Sequence, residues 1–188
     1  MVLTVEQPPI ARVLTADEWD AIPDTSGLEL VDGMVHVMAA ATMRHEHAKT
    51  ELRNALKRLA TNDFWVTTEI EVRLAPGHRR KPDAMVLLRD GLDLDGWLVA
   101  PEQVVLAAEV VSRGSETTDR KHKPVEYADA GIPHYWRIET RPALEVHTFR
   151  LGEMGRYVET GLFTAGDRVS DPTLRWAAFD VDELDPAD

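Results

Sequence analysis

The sequence contains no cysteine among its 188 residues. This excludes disulfides, thiolate zinc sites and a cysteine nucleophile, and it fits a reducing compartment. No stretch is apolar over a length that could span a membrane. The N-terminus also lacks the basic start and apolar run of a signal peptide. These absences predict a cytoplasmic protein that does not enter the membrane.

An excess of positive charge is also absent. The 21 lysines and arginines face 33 aspartates and glutamates, so the formal net charge is −12. This balance argues against general electrostatic binding of nucleic acid, because phosphate binding depends on Lys and Arg. Two local basic clusters remain, "HRRK" at 78–81 and "DRKHK" within 119–123. Each is either a local binding surface on an acidic protein or an ordinary solvated face.

The length and a composition of 44% hydrophobic and 29% charged residues fit one compact domain. Capping, turn and periodicity signals predict a short helix after Thr15, a hairpin turning at Asp32 and Gly33, and a long helix near 43–60. Strands follow, then a second helix near 117–131, then a C-terminal β-meander. This order predicts an α/β or α+β fold with a mixed central β-sheet flanked by helices.

The domain boundaries follow from composition. Residues 1–15 contain two prolines and little periodicity, so we expect a loose N-terminal arm. The last ten residues carry five acidic groups and no basic one, which predicts an acidic C-terminal tail at 181–188. A single domain would then occupy residues 16–180.

Two carboxylates stand in unusual places. Glu109 interrupts the apolar strand "VVLAAEVV", where a charged group is costly unless it is paired. Asp83 follows Pro82 at the start of another predicted strand, and consecutive strands are often neighbours in a sheet. The two carboxylates can therefore converge, and a divalent cation such as Mg²⁺ or Mn²⁺ would relieve their repulsion. The alternative is a structural ion pair of Glu109 with Lys123 or Arg113.

The helix after the Glu109 strand places Asp119, Lys123 and Tyr127 on one face. Lys123 can therefore reach back toward the carboxylates, whereas Lys121 lies about 200° away around the helix and should be exposed. Loss of Lys123 is expected to spare folding. Asp119 either caps the helix or supports Lys123, and we favour the cap.

Other residues have ordinary structural interpretations. The pair His45 and His47 is expected at the helix surface, since positions i and i+2 do not share a face. Tyr127, Tyr135 and Trp136 are expected in the core.

Several motifs in order resemble a known family. "LELVDG", "RKPDAMVL", "AEVVS" and "TTDRKHKPVEYADAGIPHYW" are similar to the Uma-type restriction endonucleases, members of the PD-(D/E)xK superfamily with the restriction-endonuclease-like fold. The resemblance covers about residues 28–149. One departure from the superfamily pattern is Val111, which stands where the lysine of the E-x-K motif is usual.

The resemblance implies a set of site residues. Asp83, Glu109 and the Val110 carbonyl would hold Mg²⁺ or Mn²⁺, with Glu29 completing the metal site. Asp83, Glu109 and Lys123 would be catalytic, with Lys123 standing in for the lysine missing at position 111. No other cofactor is implied.

The implied activity is metal-assisted hydrolysis of phosphodiester bonds, with DNA as the expected substrate. Arg79, Arg80, Lys81 and Arg120 would contact nucleic acid, so Arg80→Ala should weaken binding and flatten its salt dependence. A homodimer would join two basic clusters into one cleft. The alternative is a nuclease fold without cleavage that serves as a binding or regulatory module, which the acidic net charge favours.

Overall fold

The computed structural model describes residues 12–186. Most of the predicted arm therefore lies outside the described residues. The helices and strands are α1 Ala16–Asp20, β1 Leu28–Val31, β2 Met34–Val37, α2 Met43–Leu59, β3 Phe64–Thr67, β4 Glu71–Ala75, β5 His78–Arg80, β6 Ala84–Leu88, β7 Leu98–Val99, β8 Val104–Val111, α3 Lys123–Asp129, β9 His134–Glu139, β10 Glu145–Leu151 and β11 Tyr157–Thr164.

The strands form two mixed sheets. The larger has the order β11-β10-β9-β8-β6-β3, and the smaller has the order β2-β1-β5-β4-β7. Each contains one parallel pair, β8 with β9 and β4 with β7, among antiparallel neighbours. The predicted mixed α/β fold with its hairpin and meander is confirmed. The hairpin β1–β2 belongs to the smaller sheet, which the sequence did not predict.

The larger sheet is covered on both faces. One face packs against α2 through Ala48, Leu52 and Leu56, within a cluster that also includes the C-terminal Phe179. The other face packs against α3 and the smaller sheet in a second cluster. Strand β8 lies inside this sheet between β6 and β9, which explains its continuous apolar sequence. A polar side chain on β8 is therefore buried.

Local signals in the N-terminal half are confirmed. Thr15 and Glu18 form the capping box of α1, and Thr42 caps α2 by accepting from the His45 amide at 3.2 Å. Asp32 and Gly33 both have positive φ, 51° and 75°, as a tight hairpin turn requires. The predicted loop after β6 contains the short strand β7, which the sequence did not reveal.

The helix after β8 starts with a π-helical turn at Thr118–His122, and α3 follows it. The Lys123 amide donates to the Thr118 carbonyl, five residues back. Pro124 accounts for the change, because proline has no amide hydrogen and is tolerated only in the first turn of an α-helix. The α-helix therefore begins at Lys123, within the range near 117–131 that was predicted for the second helix.

The predicted acidic tail is corrected for its first residues. Val181 and Leu184 have no exposed surface, and the 3-10 turn Val181–Leu184 packs in the core beside α2. Arg58 of α2 pairs with Glu183 at 2.7 Å. Apolar residues lie among the acidic ones in this segment, and these apolar residues pack it against the core. Within residues 12–186, no helix is long and apolar enough to cross a membrane.

Candidate active site

Asp83 and Glu109 meet on neighbouring strands. Asp83 immediately precedes β6, and Glu109 lies on β8, where Ala84 pairs with Ala108 in an antiparallel ladder. The Asp83 Oδ2 accepts the Val110 amide at 2.7 Å, a bond from one strand to the other. Both carboxylates are buried, at 6% and 1% exposure, and both line a cavity of about 520 Å³. The structure therefore brings the two predicted acids to one cavity.

Lys123 reaches the same place from α3. Its ammonium lies 2.7 Å from Glu109 Oε2, 3.3 Å from Asp119 Oδ1 and 3.9 Å from Glu29 Oε1. The Tyr127 hydroxyl donates to the other oxygen of Glu109 at 2.5 Å. The helical spacing thus places Lys123 as predicted, while Lys121 is exposed.

The interpretation of Asp119 as a helix cap is wrong. The π-helical turn has no side-chain cap, and Asp119 is buried against Lys123. The i, i+4 spacing of these two residues was a signal for the pair.

The prediction that His45 lies at the helix surface is also wrong. It is only 7% exposed, and its Nε2 lies 3.2 Å from Asp83 Oδ2. The sequence held a signal for this position. His45, Ala48, Lys49 and Leu52 recur at helical spacing, so His45 begins the buried face of α2.

The ionisation of the site follows from burial and pairing. Burial raises the pKa of Glu109 well above its ordinary value, against the attraction of Lys123. Burial alone would lower the pKa of Lys123, but Glu109, Glu29 and Asp119 together raise it. Burial would likewise raise the pKa of Asp83, yet the hydrogen bond from His45 lowers it. The site therefore holds a charged lysine and an ionised Asp83 beside a carboxyl that binds protons more readily.

The oxygen atoms of the site suit a hard cation. Asp83 and Glu109 supply two carboxylates, and Mg²⁺ in proteins commonly takes one or two carboxylates and completes its shell with water and substrate phosphate. Among residues 12–186, no group of three or more His, Asp or Glu side chains is arranged to hold a metal ion. A cation at this site would therefore need water and substrate to supply its remaining ligands.

Glu29 has other partners. Its Oε1 accepts the Lys81 amide at 3.0 Å, and its Oε2 accepts from Arg80 at 2.7 Å. Its predicted role as a metal ligand stays a prediction. These contacts connect Glu29, which lines the cavity, to the end of β5.

The cluster at 78–81 is not an exposed basic surface. Arg79 is fully buried between Glu71 at 3.2 Å and Asp20 at 3.3 Å. Arg80 is 3% exposed and forms two 2.7 Å bonds to Glu126. Strand β5 lies inside the smaller sheet, between β1 and β4, so both of its edges are paired with other strands.

The other two predicted contacts are also paired. The Lys81 ammonium donates to the Thr25 carbonyl at 2.5 Å and is largely buried. Arg120 retains 43% of its side-chain exposure, but it forms a two-bond pair with Glu139. Residues 79–81 are therefore buried and paired, and their contact with nucleic acid stays a prediction. Arg113, which the sequence did not single out for this role, is exposed in the loop beside Ser112 and Gly114 of the cavity wall.

Comparisons with known proteins agree with this architecture. A family model described as "Uma2: Putative restriction endonuclease" matches residues 16–182. Among solved structures, the chain is similar to a "putative nuclease belonging to DUF820" from Anabaena variabilis, with a TM-score of 0.72 and 17% sequence identity. That match covers 91% of this chain and 97% of the other. No curated protein matches.

Proposed function

This chain belongs to the Uma2 family, and we propose that it is a divalent-metal-dependent endonuclease that hydrolyses phosphodiester bonds in DNA. The observation that carries the proposal is the meeting of Asp83, Glu109 and Lys123 in one cavity, with the ammonium 2.7 Å from Glu109. Two acids and a lysine in this arrangement can serve metal-assisted attack of water on a phosphate.

Some of the proposed residues would hold the metal ion, and the others would position the water, the phosphate or the carboxylates. Asp83, Glu109 and the Val110 carbonyl would hold Mg²⁺ or Mn²⁺, which supplies Lewis acidity toward the scissile phosphate. Lys123 would donate a hydrogen bond to the attacking water or to the negative charge that grows on the phosphate. His45 fixes Asp83, and Tyr127 fixes Glu109, through the hydrogen bonds described above. No covalent intermediate with the protein is needed.

A second candidate function is a binding or regulatory module without cleavage. The net charge of −12 and the internal pairing of Arg79, Arg80 and Lys81 favour it, because both weaken the attraction for a phosphate backbone. The intact Asp83, Glu109 and Lys123 favour the enzyme. The homodimer and the cytoplasmic location stay predictions.

A cleavage assay distinguishes the two candidates. Plasmid and single-stranded DNA are incubated with the protein in Mg²⁺ or Mn²⁺, with EDTA as the metal-free control. We expect cleavage only with the divalent ion, and none by Asp83→Ala purified in the same way. Cleavage that Asp83→Ala retains would place the activity outside this site. An inactive wild-type protein on both substrates would favour the binding module.

Metal binding can be tested without cleavage. We expect Mg²⁺ to raise the melting temperature, because a ligand bound only by the folded state stabilises it by about 2.7 kcal/mol at a hundredfold excess over Kd. Glu109→Gln should abolish most of the rise, since it replaces a charged ligand by a neutral amide. Glu153→Gln, at an exposed position, is the matched control and should retain it. A rise that persists in Glu109→Gln would place the ion elsewhere.

A further inference from the structure

Three carboxylates lie near the Lys123 ammonium, and they differ in how their oxygens are hydrogen-bonded. Glu109 is bonded at both oxygens, because Oε2 accepts from Lys123 at 2.7 Å and Oε1 accepts from Tyr127 at 2.5 Å. Glu29 is also bonded at both oxygens, by groups of β5 and of the residue after it. Within residues 12–186, no hydrogen bond reaches Asp119 Oδ1, although this atom is buried. Asp119 is thus the one of the three with an oxygen that no donor occupies.

This oxygen of Asp119 is held beside the lysine. The residue is 2% exposed and lines the cavity of the candidate active site. Its backbone is fixed, since the amide donates to the Ser115 carbonyl at 2.8 Å and the carbonyl accepts from the Tyr135 hydroxyl at 2.6 Å. The Lys123 ammonium lies 3.3 Å from Oδ1, but it donates to Glu109 instead. A buried acceptor without a donor is unfavourable, so Asp119 would be stabilised by a donor that moves to it.

Lys123 would lose much of its attraction to Glu109 once that carboxylate holds a divalent cation. The carboxylate would be neutralised by the cation, and two positive groups at close range repel each other. The lysine stem is flexible and carries its charge at the end, so the ammonium can turn to a nearby acceptor. Glu29 is farther away, at 3.9 Å, and already accepts other donors. Asp119 is therefore the carboxylate best placed to receive the ammonium.

We propose that Asp119 is a positioning residue that receives the Lys123 ammonium when Glu109 holds the metal ion. The inference rests on the proposed function for the presence of the ion. Lys123 would turn from Glu109 Oε2 to Asp119 Oδ1 and remain charged beside the scissile phosphate. Asp119 is not assigned as a further metal ligand, because no group of three or more His, Asp or Glu side chains within the described part of the chain is arranged to hold an ion.

A double-mutant cycle tests this role through metal affinity alone. Mn²⁺ binding is measured by isothermal titration calorimetry, without DNA, for wild type, Asp119→Asn, Lys123→Met and the double variant. Asparagine keeps the size of aspartate but cannot neutralise the ammonium. We expect Asp119→Asn to weaken Mn²⁺ binding at least about fivefold more when Lys123 is present than in Lys123→Met, the lower end of coupling between sites. Equal weakening in both would overturn the role, because Asp119 would then act on the ion directly or by its charge alone.

The matched control is Glu69→Gln. Glu69 lines the same cavity, but it pairs with Lys49 at 2.9 Å. Its substitution removes the same charge as Asp119→Asn without changing a partner of Lys123. Any loss of Mn²⁺ affinity should therefore be the same, within about twofold, in the wild-type and Lys123→Met proteins. Coupling of Glu69 to Lys123 as strong as that of Asp119 would overturn the proposal, since the effect would then not be specific to Asp119.

A crystal structure of the wild-type protein with Mn²⁺ and without DNA gives a second measurement, which does not depend on the folding of any variant. We expect Lys123 Nζ within about 3.2 Å of Asp119 Oδ1 and beyond hydrogen-bond distance of Glu109 Oε2. A lysine that still donates to Glu109 while Mn²⁺ is bound would overturn the proposal. An Asp119 oxygen bound to Mn²⁺ would also overturn it.

These results separate the role of Asp119 from the proposed function. A protein that binds Mn²⁺ at Asp83 and Glu109 without the coupling keeps the metal site and loses the positioning role. A protein that binds no Mn²⁺ at this site loses the metal-dependent function, and the positioning role with it. A protein that shows the coupling but cleaves no DNA keeps the positioning role and loses the nuclease function.

Discussion

Lys123→Met is expected to lose at least about a hundredfold in cleavage rate, the scale lost with one transition-state charge contact. The same variant is expected to lose about 3–5 kcal/mol of stability in metal-free buffer. The reason is its burial, because Lys123 is 6% exposed and its ammonium lies within 3.9 Å of Glu109, Asp119 and Glu29. Methionine keeps most of the aliphatic stem, so the loss reports the missing charge.

Magnesium should reverse part of this destabilisation. A divalent ion held by Asp83 and Glu109 brings positive charge to the same carboxylates that the ammonium serves in metal-free protein. Urea unfolding of wild type and Lys123→Met, each with and without Mg²⁺, measures the effect. We expect Mg²⁺ to reduce the difference in unfolding free energy between wild type and Lys123→Met. The cleavage defect of Lys123→Met should remain.

The control for this experiment is Lys121→Met. Lys121 lies two residues away on the same segment but is exposed, so its loss should change stability by no more than about 0.5 kcal/mol and leave cleavage intact. If Lys121→Met were the inactive variant, the helix phase assigned to Lys123 would be incorrect. If Lys123→Met were stable and active, the lysine would have no part in the chemistry.

In the sequence Glu109 stands out because it violates a local rule, whereas Asp83 and Lys123 were singled out by their positions relative to it and by the family resemblance. Glu109 interrupts an apolar strand, Asp83 follows a proline at a strand start, and Lys123 has the helical spacing to return to them. Such violations are informative at functional sites, where local preference conflicts with the fold. The contacts of Lys123 with Asp119 and Glu29 could not be read from the sequence, and they are the reason that we now expect its loss to affect stability.

The misassigned residues share a different cause. A basic run such as 78–81 is exposed in most proteins, and its burial depends on acidic partners that are distant in sequence. Arg79 meets Asp20, and Arg80 meets Glu29 and Glu126. No local pattern encodes these long-range pairs. The second sheet was missed for the same reason, because β5 joins β1 across a long stretch of chain.

Arg80→Ala is expected to destabilise the protein by about 3–5 kcal/mol, in place of the binding defect predicted from the sequence. Arg80 is 3% exposed, and its guanidinium bonds to Glu126 twice and to Glu29 once, each at 2.7 Å. Although burial opposes it, the bonds from His78 and Arg80 lower the pKa of Glu126 to about 2. Removing Arg80 leaves two carboxylates without this compensation.

The lowered pKa of Glu126 predicts how the stability loss in Arg80→Ala changes with pH. A carboxyl whose pKa is lower in the folded state stabilises the protein above its unfolded pKa, and this stability is lost as pH falls toward the folded pKa. The difference in unfolding free energy between wild type and Arg80→Ala should therefore be largest near neutral pH. It should shrink between about pH 5 and pH 2, because Glu126 becomes protonated in both proteins.

Denaturant unfolding across that pH range measures the effect, with Arg156→Ala as the control. Arg156 is exposed between β10 and β11, so its loss should change stability by no more than about 0.5 kcal/mol at any pH. Oligonucleotide binding by folded Arg80→Ala provides the second readout. If Arg80 has only this structural role, the salt slope of binding should match that of the wild type, since no phosphate contact is removed. A stable Arg80→Ala with a flattened salt slope would instead show that Arg80 leaves Glu126 and Glu29 to meet the substrate.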